Sequence, residues 1–393
     1  MPTFKETISN EIEAQGRGCK TKMANIANYK QAGGLTKVLS DESREFDNFF
    51  GLTKLVQELF PNKDEEKELI CKYARSIEPT KKTARYMLEY LEVNQLKSEK
   101  RALIQRMINC NNATSREWGK LYQIDDRYVN GKYDYLEALK KFDELKDKCF
   151  EVHIIKTIFK AYCYLDKKKY EIAFDIVAIL NDEDFYKIGE KYIRDIYYAR
   201  FLLIKAEYYV RMNNLQLARD VCNKINEEIQ EPLFKTWAYI HQGNSHMFED
   251  FDKANRYLQR AFYMSQDGLE ILQINVERSM AFLDNLWNKQ PRYLNLKSSH
   301  PTDIHDVVHY YINNKQNRKA MELLESEPIN KLTDNERGFH YYLKGLITKD
   351  IEDFCESVKA FRNSGDTYFR KLPILELEKL NVEACIINLL SIS

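Results

Sequence analysis

The 393-residue chain carries 60 Lys and Arg against 60 Asp and Glu, a formal net charge of zero. That balance excludes a protein that coats nucleic acid through bulk charge, so any DNA contact must be local. Thirteen Gly and eight Pro are few for this length, and with 31% charged residues they favour a nearly all-helical chain, one too long for a single compact core and therefore built as several domains or an extended array.

The N-terminal MPTFKETISNEIEA lacks the apolar core of a signal peptide, and nowhere do 18 apolar residues run together. A soluble, cytoplasmic protein without membrane contact is expected. The first informative stretch is Lys20–Leu39, which reads as two short helices joined by a tight turn. Ala24 is small enough for close helix contact, and Asn28, four residues on, suits a turn that needs positive φ. Leu35, Val38 and Leu39 form a second apolar face at helical spacing, expected to pack back on Met23, Ile26 and Ala27. This is a helix-turn-helix pattern. No acidic residue lies between Glu13 and Asp41, while Arg17, Lys20, Lys22, Lys30 and Lys37 supply cation. A nearly neutral chain has concentrated positive charge where a phosphate backbone can sit. The plainer alternative is a helical hairpin with a solvated basic face.

Ser40 to Ser43 offer capping oxygens, and Phe46, Phe49, Phe50, Val56 and Leu59 follow at helical spacing until Pro61. A boundary near Pro61–Lys63 divides a helix-turn-helix domain, 1–62, from the remainder, 63–393. From about Lys67 amphipathic helices alternate with polar turns. A small residue recurs near the start of the second helix of a pair: Ala173, Ala218, Ala254, Ala320 and Ser357, at intervals of 45, 36, 66 and 37 residues. Two intervals sit near the ~34-residue tetratricopeptide period, and one repeat is skipped or degenerate between Ala254 and Ala320. Aromatic-rich helices precede the anchors. Each pair is too small to bury its own apolar face, so stacking and a concave groove are expected, a form that takes extended peptides. The expected fold is all-α, an N-terminal helix-turn-helix followed by a tetratricopeptide-like helical-repeat superhelix.

The residues give no support to catalysis. His300, His305 and His309 fall in one segment, and the last two are four apart on a helix, a spacing that can present two imidazoles to a metal. No HExxH or Cys partner completes such a site, so a groove-lining or surface role is expected. Gly16-Arg17-Gly18 is neither a P-loop nor a dinucleotide fingerprint. The eight cysteines are widely spaced with no CxxC and read as reduced core thiols. A non-enzyme with no cofactor and no resident metal is expected.

A collinear set of short stretches then carries a resemblance. It begins with Met23-Ala24 and Ile26-Ala27, continues through Ala102-Leu103-Ile104, Met107-Ile108, Cys110, Asn112, Ser115, Gly119-Lys120 and Tyr122, and reaches Gly243-Asn244-Ser245 and Asp334-Asn335-Glu336. His340 to Gly345, Leu372-Pro373 and Leu375-Glu376-Leu377 complete it. Over some 350 residues the chain resembles the arbitrium receptors of temperate Bacillus phages, a branch of the peptide-sensing regulators that join a helix-turn-helix to tetratricopeptide-like repeats.

The resemblance implies a homodimeric regulator that binds double-stranded operator DNA, promotes transcription of a small downstream regulator of lysis, and loses that state when a short secreted communication peptide binds, so that lysogeny follows. It implies peptide contacts at Asn244, Asn335 and Asp366, with Tyr368 in place of a family Phe and Met247 and His241 among the groove positions. Asn offers donor and acceptor to a peptide backbone, and Asp366 can accept from a peptide Arg or amine. Departures concern specificity: Glu207 and Arg211 replace a pair of Asn, His305 replaces Gln, and Leu233 replaces Arg. With Lys235 and His241 nearby, a cognate peptide with different variable residues is expected.

For DNA, Lys20, Lys22 and Lys37 are expected at phosphates and Lys30, Gln31 and Thr36 at base edges, with Asn28 at the turn on the same surface. Ala384–Leu390 reads as a dimer contact or as the cap of the last repeat. A chromosomal or plasmid peptide-responsive factor, or a repeat scaffold or Rap-like protein without DNA binding, remain the rival classes.

Overall fold

The structure, a computed structural model, describes residues 2–16, 18–266 and 270–391. Arg17, one of the expected cations, lies outside the described residues. Among those described, all regular structure is helical, from Phe4–Ala14 to Ala384–Ser391. The chain divides into two compact units: residues up to 159 with 180–198, and residues 160–179 with those from 199 onward. It passes between them inside the helices Phe150–Asp166 and Lys191–Arg211.

In the first unit, Phe4–Ala14 opens with a capping box between Thr3 and Glu6, two orphan amides satisfied reciprocally. The buried Lys5 donates to the carbonyls of Asp41 (2.6 Å) and Arg44 (2.7 Å) and so pins the later loop to this helix. Helix Cys19–Ile26 ends at a turn where Asn28 has φ 63°, and Ala32–Leu39 follows with Gln31 as its extended N-cap. Met23, Ala24, Ala27, Leu35, Val38 and Leu39 are buried, while Ile26 is half-buried. Against this hairpin lies Phe49–Leu59, so close that a Cβ on Gly51 would sit 2.4 Å from the Ala27 carbonyl oxygen. The N-terminal amides of that helix, Phe49 and Phe50, donate to the carboxylate of Glu190 at 3.1 and 3.0 Å. An anion at a helix N-terminus is favoured by unpaired amides and dipole together. Helix Lys63–Ser76, capped by Asn62, comes next, beyond Pro61.

The second unit is a succession of antiparallel neighbours. Leu215–Glu228, Pro232–Ser245 and Phe251–Ser265 pack one on the next, as do Asp334–Thr348, Ile351–Ser364 and Thr367–Lys379. The anchors Ala173, Ala218, Ala254, Ala320 and Ser357 are all essentially inaccessible, at 0 to 1% exposure. Their size matters because backbones meet there. A Cβ on Gly243 would lie 3.2 Å from the Ala254 carbonyl and 2.6 Å from Leu258, and Ser357 Oγ donates to the Gly338 carbonyl at 2.7 Å. The long 66-residue interval contains helix Glu270–Leu286 and then an irregular segment, 287–300. In the C-terminal helix, Ile387 is buried in the apolar core, while Ile386 and Leu389 are exposed.

Candidate ligand site and basic N-terminal surface

Arg211 ends the helix Lys191–Arg211, and Glu207 stands one turn before it, so their side chains share a face. Arg211 Nε donates to Glu207 Oε1 at 2.8 Å, and Nη1 reaches Asp366 Oδ2 at 3.0 Å. Asp366 is fully buried and is the N-cap of Thr367–Lys379, accepting from the Phe369 amide at 2.9 Å through its other oxygen. Asn335, buried in the first turn of Asp334–Thr348, donates through Nδ2 to Asp366 Oδ2 at 2.8 Å. His241 Nδ1 lies 3.2 Å from Glu207 Oε2 but off the line of a hydrogen bond. The guanidinium sits 5.1 Å from the ring centres of both Tyr170 and Phe369.

Two carboxylates and one guanidinium thus share a largely enclosed space, in which Asp366 is fully buried while Arg211 and Glu207 keep 16 and 19% of their side chains exposed. Burial disfavours the charged form of all three, and proximity opposes burial. For Glu207 the burial penalty is outweighed by Arg211 and His241, which hold its carboxyl well below the usual range. For Asp366 burial prevails over Arg211 and pushes its carboxyl up. Arg211 is held firmly cationic by Glu207, Tyr170 and Asp366 against its own desolvation.

Not every polar atom here has a partner. Asn244 Oδ1, Tyr170 Oη and His241 Nδ1 are buried without a hydrogen bond. Asn244 is itself tied to the network's helix, since Tyr368 Oη donates to its backbone carbonyl at 2.6 Å. Unpaired buried polar atoms cost roughly 1–3 kcal/mol each, which a polar ligand able to reach them would recover.

The structure therefore brings together Glu207, Arg211, His241, Asn335 and Asp366, with Tyr368 joining Asn244. Met247 is buried in an apolar cluster, its carbonyl accepting from Trp287 Nε1. His305 belongs to a separate cluster, 3.0 Å from Glu327. Sequence reasoning passed over Tyr170 and Phe369, the two rings flanking the guanidinium. Their only signal was aromatic character at helix starts, a signal shared by many core residues here.

On the N-terminal surface Lys22, Asn28, Lys30, Gln31 and Lys37 are exposed, and Lys20 and Thr36 half-buried. Thr36 Oγ1 donates to the Ala32 carbonyl at 2.9 Å, and Lys22 pairs with the exposed Glu58 at 2.5 Å.

A family model described as AimR transcriptional regulator-like matches residues 66–379. The AimR transcriptional regulator of Bacillus phage phi3T is 29% identical over 386 residues, 98% of this chain and 100% of that protein. The AimR transcriptional regulator of Bacillus phage SPbeta is 28% identical over 391 residues, 99% and 100% of the two chains. The solved structure of phAimR with its ligand is similar at TM-score 0.79 and 28% identity, over 86% of this chain and 98% of that one. Selenomethionine phAimR gives 0.73 at 28% identity over 99% and 100%.

Proposed function

This chain belongs to the AimR transcriptional regulator-like family, and on that premise we propose that it is a phage arbitrium receptor: a homodimeric, cytoplasmic regulator whose hold on operator DNA is switched by a short secreted peptide. The observation that carries the reading is the network of Glu207, Arg211, Asn335 and Asp366, with His241 beside Glu207, Tyr170 against the guanidinium, and buried atoms without a hydrogen bond at Tyr170 Oη and Asn244 Oδ1. A peptide main chain supplies donors and acceptors at regular spacing and satisfies such atoms without needing a large apolar pocket. The basic surface between Glu13 and Asp41, carried on two helices and a tight turn, supports the DNA-reading half. The helix-turn-helix of residues 1–62 is the reader, and the repeat array from 63 onward is the sensor.

The switch follows from differential affinity, because a ligand moves an equilibrium only as far as it prefers one state. About 1.4 kcal/mol changes the ratio of conformers tenfold, so two or three recovered hydrogen bonds suffice. DNA-bound protein activates a lysis regulator; the peptide-bound form releases it, and lysogeny follows. Titrating the full chain with peptides from several phages tests the sensor. A single preferred peptide whose affinity falls on Asn335→Ala supports the reading, and equal affinity for every peptide contradicts it.

A further inference from the structure

A second polar cluster in the same unit lies outside the network described above. Its three members come from different elements: His305 from helix Pro301–Asn313, Glu327 from the connection after Asn317–Glu325, and His340 from Asp334–Thr348. All three are buried, at 6, 6 and 2% exposure. His305 Nε2 and His340 Nδ1 lie 3.0 and 3.2 Å from the same oxygen, Glu327 Oε2, and the three ligand atoms are all within 4.8 Å of one another.

We propose that His305, Glu327 and His340 bind one divalent transition-metal ion, with Zn2+ the best match. Two imidazoles and a carboxylate form a donor set that borderline metals favour. Tetrahedral Zn2+ with bonds of about 2.0–2.1 Å places its ligand atoms roughly 3.3 Å apart, within a few tenths of an ångström of the observed separations to Oε2. Three protein ligands leave a fourth position for water.

The charge balance argues the same way. Among the described residues the ion-pair partners of Glu327 are only these two imidazoles, which are neutral when they act as ligands. Its other oxygen, Oε1, is buried with no partner at all. A hydrogen-bonded triad of neutral rings, with both ring N–H groups donating to Oε2, leaves Oε1 orphaned, and the carboxylate's charge is balanced only if one imidazole takes a proton. A divalent ion supplies the missing charge and can draw the carboxylate into a two-oxygen contact, the usual fate of a buried charge being a counter-ion or a metal. Binding requires the tautomers with His305 Nε2 and His340 Nδ1 unprotonated. The ion would join three elements of the helical array and so act on its rigidity.

The test uses the full-length chain stripped with a chelator. Calorimetric titration with Zn2+ is expected to give one tight equivalent per chain and a raised unfolding temperature. Glu327→Gln and His340→Asn are expected to weaken binding at least about tenfold. Co2+ loaded into the unmodified chain is expected to show tetrahedral ligand-field bands without a thiolate charge-transfer band, a readout that stands even if a variant fails to fold. No tight equivalent, equal binding by the folded variants, or a cobalt–thiolate band from the cysteines overturns the proposal.

Discussion

Asp366 is held by Arg211 of its own chain: Nη1 to Oδ2 is 3.0 Å, across 155 residues of sequence. With Asn335 and the Phe369 amide also bonded to it, the carboxylate expected to receive a cation from the peptide already has one. In this chain the charge complementing Asp366 is built in, and on the proposed reading a peptide Arg or amine would compete with it.

A first prediction follows for stability. Removing Arg211 takes the counter-charge from the fully buried Asp366 and leaves the partly exposed Glu207 with only His241 beside it, so Arg211→Ala is expected to cost about 3–5 kcal/mol. The combination with Asp366→Asn should cost less than the sum of the singles, because the isosteric amide carries no charge to leave unpaired. Urea unfolding of the four proteins measures the coupling; strict additivity contradicts the ion pair.

For ligand choice, Arg211→Asn frees Asp366 while keeping a polar side chain in place. Affinity for an Arg-containing peptide is expected to rise by about tenfold, in line with a charge-assisted hydrogen bond of roughly 1.5 kcal/mol. An unchanged or reduced affinity, in a variant shown to be folded, rejects competition at Asp366.

Gly51 provides a test confined to the N-terminal unit. Alanine ordinarily favours a helix over glycine by up to about 1 kcal/mol, yet here its Cβ would sit 2.4 Å from the Ala27 carbonyl oxygen, and backbone cannot move aside cheaply. Gly51→Ala is therefore expected to destabilise by roughly 1–3 kcal/mol and to weaken DNA binding while leaving peptide affinity intact. Improved stability would show that this close approach is relaxed in solution.

The lysines of the basic surface are not equivalent. Lys37 is exposed at the end of Ala32–Leu39, whereas Lys22 shares its charge with Glu58. Lys37→Ala is expected to reduce the salt slope of DNA binding by about 0.9. Glu58→Gln, by releasing Lys22, should strengthen binding by up to roughly fivefold at low salt. Gln31→Ala should relax sequence choice with little change of slope. Identical salt profiles for all three variants would place the DNA elsewhere.

His309 gives a pH dependence with a defined sign. Burial pushes its imidazole down to about 4 from an ordinary 6.5, so the folded protein keeps it neutral where the unfolded chain takes a proton. Below pH 6.5 the unfolded state binds more protons, and stability falls with pH until about 4, by roughly 3 kcal/mol in total. Measured with a chelator present, the native chain should lose more stability between pH 7 and 4.5 than His309→Phe. Equal losses contradict a buried neutral ring.

Short-range requirements were legible in the sequence, and long-range pairings were not. Asn28 announced its left-handed turn because few side chains tolerate φ near 63°. The anchors from Ala173 to Ser357 were visible because helix crossings admit only small residues at a recurring place. Ile26 shows the limit of periodicity: it has the right spacing but is only half-buried. Arg211 on Asp366, Glu58 on Lys22 and Glu327 between His305 and His340 join residues on separate elements, and no local pattern predicts such partners. The family resemblance named Asn244, Asn335 and Asp366 but could not say that a neighbouring guanidinium would occupy the last of them.

The central claim is that a peptide seated on this network loosens the grip of the N-terminal helices on duplex DNA. Fluorescence anisotropy of DNA from beside the chain's own gene, with and without the peptide encoded downstream, tests it most directly. The account predicts salt-sensitive, sequence-selective binding that the peptide weakens at least about tenfold, equivalent to 1.4 kcal/mol of coupling, with the effect lost in Asn335→Ala. Binding that stays unchanged while calorimetry shows the peptide bound would contradict it.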